Sequence, residues 1–282
     1  MSARIVGHRL HLEALSHCYI EGKCAIKDID LTIEPGEQVA LIGPSGAGKT
    51  TLLHTLALAL RPTRGRFSWG EQNPWDMSSS GRHALRAESF LAPQQPPLPP
   101  RQRVVHAVLA ARLTRAGTWP ALRSLLATPA EADVQAAYAA LAAFRLEDKL
   151  WLRCDRLSGG ERQRVGLARM FVAASSVNLL DEPVSSLDPV LGAASLAAAQ
   201  ADAAERNATL VVSLHDVNLA RERFSRLIGL RAGLLQFDLP THAVTEDRLR
   251  ELYGEEFGMA VANFALPDTE VPQSSVIVTG CS

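Results

Sequence analysis

Cysteine is scarce in this sequence, which has four cysteines among 282 residues. They form no CxxC pair, and no histidine lies near them at the spacing of zinc ligands, so the pattern gives no indication of a zinc site. We therefore expect free thiols at all four positions, as is usual in a reducing compartment. The positions are Cys18, Cys24, Cys154 and Cys281.

Long apolar runs and an excess of positive charge are also missing. No uninterrupted apolar stretch approaches the ~18 residues of a membrane span. The N-terminal segment, MSARIVGHRLHLEAL, carries charges where a signal peptide needs an apolar core. Lysine and arginine number 29 against 30 for aspartate and glutamate, which gives a net charge of −1. We expect a soluble protein whose main partner is not a nucleic acid.

Aromatic residues are few, at 5% of the chain, whereas alanine-rich stretches such as AAYAALAAFRL favour helices. The segments QVALIG, VNLLDEP and TLVVSLH have the composition of buried strands and alternate with helical segments. A helical block with VVHAVLAARL, ALRSLL and EADVQAAYAALAAF interrupts this alternation. The pattern predicts an α/β fold with a mostly parallel sheet and an inserted α-helical subdomain.

We predict one domain over residues 1–254, with the helical subdomain at about residues 95–167. The segment DIDLTI at residues 28–33 alternates polar and apolar side chains, which is typical of a half-buried strand outside the parallel core. The remaining residues, 255–282, show no helical periodicity, and we expect them to be a loosely ordered tail.

A glycine-rich loop follows the strand QVALIG and opens a helix. Its sequence, GPSGAGKT at residues 43–50, fits the phosphate-loop pattern G-x-x-x-x-G-K-[ST]. The glycines let backbone N–H groups turn toward phosphate oxygens at the positive end of the helix. Lys49 can reach the β- and γ-phosphates, and the Thr50 hydroxyl can coordinate Mg²⁺. The predicted ATP-binding residues of this segment are Gly43, Pro44, Ser45, Gly46, Ala47, Gly48, Lys49, Thr50 and Thr51.

Two carboxylates end the apolar strand VNLLDEP at residues 177–183. Phosphoryl transfer to water needs a metal ion near the phosphates and a group that orients the attacking water. Asp181 is placed to hold Mg²⁺ through a coordinated water, and Glu182 can polarise the attacking water. A solvated acid at a strand end is the alternative for this motif alone. The phosphate loop upstream favours the catalytic interpretation.

The segment LSGGERQRV, residues 157–165, has a Ser-Gly-Gly turn that opens a helix. Ser158 can cap that helix, and the helix N-terminus can also bind an anion, so the segment alone leaves both interpretations open. With the phosphate loop, LSGGE, LLDEP, SSLDP and SLHD present in this order, the chain resembles the ATP-binding subunits of ABC transporters over roughly residues 10–254. Glu161 replaces the last residue of the usual LSGGQ signature.

That resemblance implies a P-loop NTPase core of the RecA type and a homodimer that encloses two ATP molecules head to tail. The signature residues Ser158, Gly159 and Gly160 would face the γ-phosphate bound by the partner subunit. Asp188, in SSLDP, would link the two sites across the interface. His215, in SLHD, would contact the γ-phosphate and hold the catalytic geometry.

The proline-rich segment PQQPPLPPRQR, residues 93–103, is by itself typical of a stiff spacer or of a ligand for an aromatic groove. Its place in the family pattern instead implies that Gln94, more than the adjacent Gln95, approaches Mg²⁺ and the attacking water. This loop would face the membrane partner. Tyr19 is similar to the family's aromatic residue that stacks on adenine, and a core tyrosine is the alternative.

Five segments resemble the ATPases of phosphonate importers: RQRVVHAVLAARL, TWPALRSLL, EDKLWLRCDRLSGGERQRV, DEPVSSLDP and RFSRLIGLRAGLLQFDLP. This resemblance implies a peripheral subunit at the cytoplasmic face of the inner membrane that hydrolyses ATP with Mg²⁺. Its partners would be permease subunits and a periplasmic or extracellular solute-binding protein. The alternatives are an importer ATPase for another oxyanion such as phosphite, and a soluble ATPase without a permease that assists phosphonate degradation or repair.

Overall fold

The computed structural model describes residues 7–19, 22–113 and 129–262. The strands are β1 Leu10–Cys18, β2 Cys24–Ile33, β3 Gln38–Ile42, β4 Arg64–Trp69, β5 Ser89–Ala92, β6 Val177–Asp181, β7 Thr209–Ser213, β8 Arg226–Arg231 and β9 Leu234–Pro240. The helices are α1 Lys49–Leu56, α2 Ser79–Ala87, α3 Val104–Leu109, α4 Glu131–Ala142, α5 Gly159–Ala173, α6 Pro189–Arg206, α7 Val217–Arg223, α8 Glu246–Tyr253 and α9 Phe257–Ala262. The predicted helical segment ALRSLL and the part of the tail after residue 262 lie outside the described residues.

A six-stranded sheet forms the centre of the fold, in the order β5-β6-β7-β3-β8-β9. Its first five strands run parallel, and β9 pairs with β8 in the antiparallel direction. A separate antiparallel sheet has the order β2-β1-β4 and includes the DIDLTI strand. The predicted α/β class, with a mostly parallel sheet and antiparallel elements, is confirmed.

The central strands are buried on both faces, which explains why their sequences are almost continuously apolar. Successive side chains of a strand point to opposite faces. Along β3, Val39 and Leu41 therefore pack into one core with α1 and the small sheet, whereas Ala40 and Ile42 pack into another. The second core also contains apolar side chains of α3, α4, α5 and α6, so it joins the inserted helices to the sheet.

The first turns of the predicted tail are part of this second core. Helix α9 follows α8 after a short 3-10 turn, and its residues Phe257 and Ala260 pack against the buried cluster. None of the helices in the described ranges has the length and apolar character that crossing a bilayer needs.

Cys18 and Cys24 form a disulfide between the ends of β1 and β2. The expectation of free thiols is therefore wrong for this pair. The disulfide forms because the antiparallel register of β1 and β2 makes the two residues direct partners. Cys154 is free and buried, as expected. Cys281 lies outside the described residues.

Parallel strands end at the same edge of a sheet, and ligands of open α/β folds bind there. Gln94 follows β5, Asp181 ends β6 and is followed by Glu182, and Ser213 ends β7 and is followed two residues later by His215. We call these five residues the carboxyl edge. The phosphate loop follows the neighbouring strand β3, so the topology brings motifs distant in sequence to one place.

Candidate functional site

The phosphate loop turns sharply between β3 and α1 because its glycines adopt conformations that other residues avoid. Gly43 and Gly48 have φ angles of 146° and 106°. A Cβ atom at Gly43 would lie 2.0 Å from the carbonyl oxygen of Leu230, and one at Gly48 would lie 2.4 Å from that of Ala25. Both positions therefore require glycine. The loop and the start of α1 line a depression of about 260 Å³ that also reaches Glu182.

Lys49 lies beneath this loop and is almost fully buried. Its Nζ donates to the carbonyl oxygens of Gly43, at 2.6 Å, and Pro44, at 3.2 Å. Burial lowers the pKa of Lys49, and the nearby carboxylates of Glu182 and Asp181 oppose that shift. The amine thus lies close to both the loop and the acidic residues of the carboxyl edge.

Glu182 connects two other predicted residues of the carboxyl edge. The side-chain amide of Gln94 donates to Glu182 Oε2 at 2.6 Å, and His215 Nε2 lies 2.5 Å from Glu182 Oε1. The bond with His215 is the main cause that lowers the pKa of Glu182, and Lys49 adds to the effect while burial opposes it. Glu182 is therefore an ionised carboxylate at neutral pH, able to accept a hydrogen bond from water.

Asp181 is buried at the end of β6, 4% exposed. Its Oδ1 accepts a hydrogen bond from the Ser213 hydroxyl at 2.6 Å. Within the described residues no cluster of three or more His, Cys, Asp or Glu side chains could hold a metal ion alone. Mg²⁺ usually binds proteins through one or two carboxylates together with substrate phosphates. Asp181 and the exposed Thr50 of the phosphate depression fit that mode of binding.

The signature residues begin helix α5, and Ser158 caps it. The Ser158 hydroxyl accepts from the Glu161 N–H at 3.2 Å, and the Glu161 carboxylate accepts from the Ser158 N–H at 2.8 Å. This capping box shows why glutamate is suitable in place of the usual glutamine. The capping interpretation of Ser158 therefore has direct geometric support, and anion binding at the same helix N-terminus stays a prediction.

The signature helix is attached to the SSLDP segment by Gln163, whose importance the sequence motifs did not indicate. The Gln163 amide donates to the Ser185 hydroxyl and accepts from the Ser186 N–H, both at 2.9 Å. Gly160 lies so close to this segment that an added Cβ would be 2.9 Å from the Leu187 side chain. In the same segment Asp188 caps α6 by accepting from the Leu191 N–H at 2.9 Å.

A second cavity, of about 590 Å³, also reaches Glu182. The residues that line it include Glu182, Asp188 and His215, with Pro44 of the phosphate loop. None of the lining residues in the described part of the chain belongs to the signature. The cavity thus brings Asp188 together with Glu182 and His215 of the carboxyl edge.

Tyr253, at the end of α8, also lines this cavity and was not predicted. Its buried phenol oxygen accepts a hydrogen bond from the Gly43 N–H at 3.0 Å. Burial raises the pKa of the Tyr253 phenol, so it stays protonated at neutral pH. The first glycine of the phosphate loop is therefore held from one side by Tyr253 and, through its carbonyl, by Lys49.

Tyr19 lies at the end of β1, next to the disulfide, and is 51% exposed. Its exposure contradicts the alternative of a core tyrosine. The ring makes an edge contact with His17, and its hydroxyl lies 3.4 Å from Oγ1 of Thr51 in the phosphate loop segment. An exposed aromatic face beside the phosphate depression is suitable for stacking on a base.

The chain matches the ABC transporter family over residues 26–185. It is 51% identical to the phosphonates import ATP-binding protein PhnC of Polaromonas sp., over 89% of this chain and 91% of that protein. It is 45% identical to a protein of the same name from Pseudomonas putida, over the full length of both. The dimeric structure of the ATP-binding cassette MJ0796 with ADP and Pi has a TM-score of 0.73 and 26% identity, and covers 83% of this chain and 100% of that one.

Proposed function

Because the chain belongs to the ABC transporter family, we propose that it is the ATP-hydrolysing subunit of a phosphonate importer. The observation that most directly supports ATP hydrolysis is the position of the Glu182 carboxylate. It lies between the side chains of Gln94 and His215 and beside the depression formed by the phosphate loop. These are the parts that hydrolysis of a nucleoside triphosphate needs: a phosphate cradle and an ionised group that orients water.

ATP would place its phosphates on the loop residues 43–51, where backbone N–H groups and Lys49 neutralise their charge. Its adenine would stack on Tyr19. Thr50 and Asp181 would hold Mg²⁺, which when bound neutralises charge on the phosphate oxygens, and Gln94 would lie near the same ion. Lys49 would exchange at least part of its contact with the Gly43 and Pro44 carbonyls for phosphate oxygens.

Glu182 would accept a hydrogen bond from the attacking water. Its lowered pKa keeps it ionised at neutral pH, which this task requires. Both of its oxygens already have a partner, Gln94 at Oε2 and His215 at Oε1. A carboxylate offers about four acceptor positions, so water can bind while His215 keeps the side chain oriented.

We further propose that two subunits complete each site. The cavity beside Glu182 would receive Ser158, Gly159 and Gly160 of a partner subunit, so that the capped helix N-terminus faces the γ-phosphate. Asp188 lines the same cavity, and we propose that it links the two sites. The similarity to a cassette that forms a dimer supports this arrangement.

The further partners would be permease subunits, which the chain would contact through the loop that carries Gln94, and a solute-binding protein outside the membrane. The ATPase would act at the cytoplasmic face of the inner membrane. Relatives named for phosphonate import support phosphonate as the solute. The ATPase does not contact the solute, so the substrate must be tested on the assembled transporter.

The decisive experiment reconstitutes the chain with its permease and solute-binding protein in liposomes that contain ATP. Methylphosphonate, phosphite and phosphate are supplied separately, and uptake and ATP hydrolysis are measured. We expect uptake with methylphosphonate, and we expect none when the ATPase carries Glu182→Gln. Uptake of phosphite alone would show an importer for another oxyanion. Hydrolysis that no permease or solute stimulates would indicate an ATPase outside transport.

A further inference from the structure

Ser213 is the last residue of β7 and is completely buried. It interrupts the otherwise apolar end of the strand TLVVS. In the parallel register it lies directly beside Asp181, the last residue of β6. A buried hydroxyl at this position costs free energy unless it forms hydrogen bonds, so its partners indicate what it contributes.

The Ser213 hydroxyl contacts both acidic residues of the LLDEP motif. It donates to Asp181 Oδ1 at 2.6 Å and accepts from the backbone N–H of Glu182 at 2.9 Å. A serine hydroxyl has one proton and two lone pairs, so one group can satisfy both bonds simultaneously. The bond to Oδ1 also fixes the orientation of the other oxygen of the Asp181 carboxylate.

The bond to Glu182 stabilises an unusual backbone conformation. Glu182 has a φ of 48°, in the left-handed region that residues other than glycine rarely adopt. In this conformation the Glu182 side chain turns toward Gln94 and His215, while its N–H points back to Ser213. Without an acceptor at Ser213, this conformation would lose the bond that holds its N–H group.

We propose that Ser213 is a positioning residue that couples the metal-binding and water-orienting groups of the site. Through one hydroxyl it orients the Asp181 carboxylate toward Mg²⁺ and holds Glu182 in the conformation that presents its side chain to water. This inference rests on the proposed ATPase function, which it deepens. Partners that orient metal ligands in this way typically change metal affinity or activity by about 10- to 100-fold when removed.

The test compares Ser213→Ala with Ser213→Thr in the full-length protein. Mn²⁺ affinity of the ADP complex is measured by electron paramagnetic resonance, and the Mg²⁺ dependence of ATP hydrolysis is measured in parallel. Nucleotide affinity without metal should stay within about twofold, because the loop residues 43–51 are unchanged. Ser213→Ala should weaken Mn²⁺ binding and raise the half-saturating Mg²⁺ concentration by about tenfold or more. Ser213→Thr keeps the hydroxyl and should restore both.

Two results would overturn the proposal. One is unchanged Mn²⁺ affinity in Ser213→Ala together with a lower melting temperature, which would make Ser213 a purely structural residue. The other is a folded Ser213→Thr protein that binds Mn²⁺ as weakly as Ser213→Ala. If Ser213→Ala does not fold, Ser213→Cys replaces it under the same criteria, since the thiol donates only weakly. A wild-type protein that binds Mn²⁺–ADP without hydrolysing ATP would contradict the proposed function and still allow the binding test.

Discussion

The carboxyl edge and the Tyr19 hairpin, of which the structure describes residues 17–19 and 22–25, border the same phosphate loop but differ in construction. At the carboxyl edge Asp181 and Ser213 are buried, and Glu182 bonds to Gln94 and His215 through its side chain and to Ser213 through its backbone N–H. In the hairpin Tyr19 is half exposed, and its hydroxyl has one long contact to Thr51. One region is a fixed network, and the other presents an accessible surface.

This difference corresponds to what each region is proposed to do. Stabilisation of a transition state depends on groups that are already oriented before reaction, because reorganisation costs free energy. The ends of parallel strands supply such orientation, since the sheet fixes β5, β6 and β7 relative to one another. Stacking on a base needs only an accessible flat face. The hairpin should therefore tolerate changes that the carboxyl edge does not.

Glu182→Gln should have the largest effect, and it tests the carboxyl edge. The amide keeps the shape of the side chain but cannot act as an anionic acceptor for water. We expect ATP hydrolysis, measured as phosphate release, to fall by about 10²- to 10⁴-fold. ATP should still bind, because the phosphate loop is unchanged, and size-exclusion chromatography with ATP should show an accumulated dimer.

The matched control is Glu255→Gln, which makes the same chemical change at an exposed position. It should hydrolyse ATP at the wild-type rate. Near-normal turnover in Glu182→Gln would mean that another group orients the water, and the contrast between the two regions would lose its chemical basis.

The two regions also differ in how much of them the sequence predicts. Each of the predicted residues Lys49, Glu182 and His215 lies in a short motif that can be identified locally. Ser213 begins the SLHD motif, but the motif does not reveal its role, which depends on the register that places it beside Asp181, 32 residues earlier in the chain. Tyr253 contacts Gly43 across 210 residues, and only the tertiary fold brings them together. The α/β class with a mostly parallel sheet can be predicted from the alternation of apolar strands and helices. The contacts between residues of distant segments cannot be predicted from that pattern.

A local contact was also missed in the hairpin, for a different reason. Cysteine spacing alone predicts no disulfide for Cys18 and Cys24, since it gives no indication that the chain reverses between them. The reversal becomes evident only once the β1–β2 register is known. Two residues only six positions apart thus form a bond that their spacing in the sequence does not predict.

Tyr19→Ala should have an intermediate effect, and it tests whether the hairpin contributes mainly affinity. Loss of one base–aromatic stacking contact should raise the Kd for ATP by about tenfold. Hydrolysis at saturating ATP should stay near the wild-type rate, because the carboxyl edge is unchanged. Titration with a fluorescent ATP analogue and a steady-state assay measure the two quantities separately.

Tyr19→Phe is the control for the contact between the Tyr19 hydroxyl and Thr51. It keeps the aromatic face, so its affinity should stay within about twofold of the wild type, given the long 3.4 Å contact. An equal loss of affinity in Tyr19→Phe would show that the hydroxyl matters. A large loss of maximal rate in Tyr19→Ala would show that the two regions are not separable.

The double variant Cys18→Ser, Cys24→Ser should have the smallest effect on nucleotide binding. The turn keeps two backbone hydrogen bonds without the disulfide, from the Tyr19 N–H to the Lys23 carbonyl at 3.1 Å and from the Gly22 N–H to the Tyr19 carbonyl at 2.9 Å. We therefore expect the Kd for ATP, measured under non-reducing conditions, to change by less than about twofold. Thiol labelling of the unreduced wild type should leave Cys18 and Cys24 unmodified. If the variant instead loses as much affinity as Tyr19→Ala, the covalent link orients Tyr19, and the hairpin is as dependent on fixed geometry as the carboxyl edge.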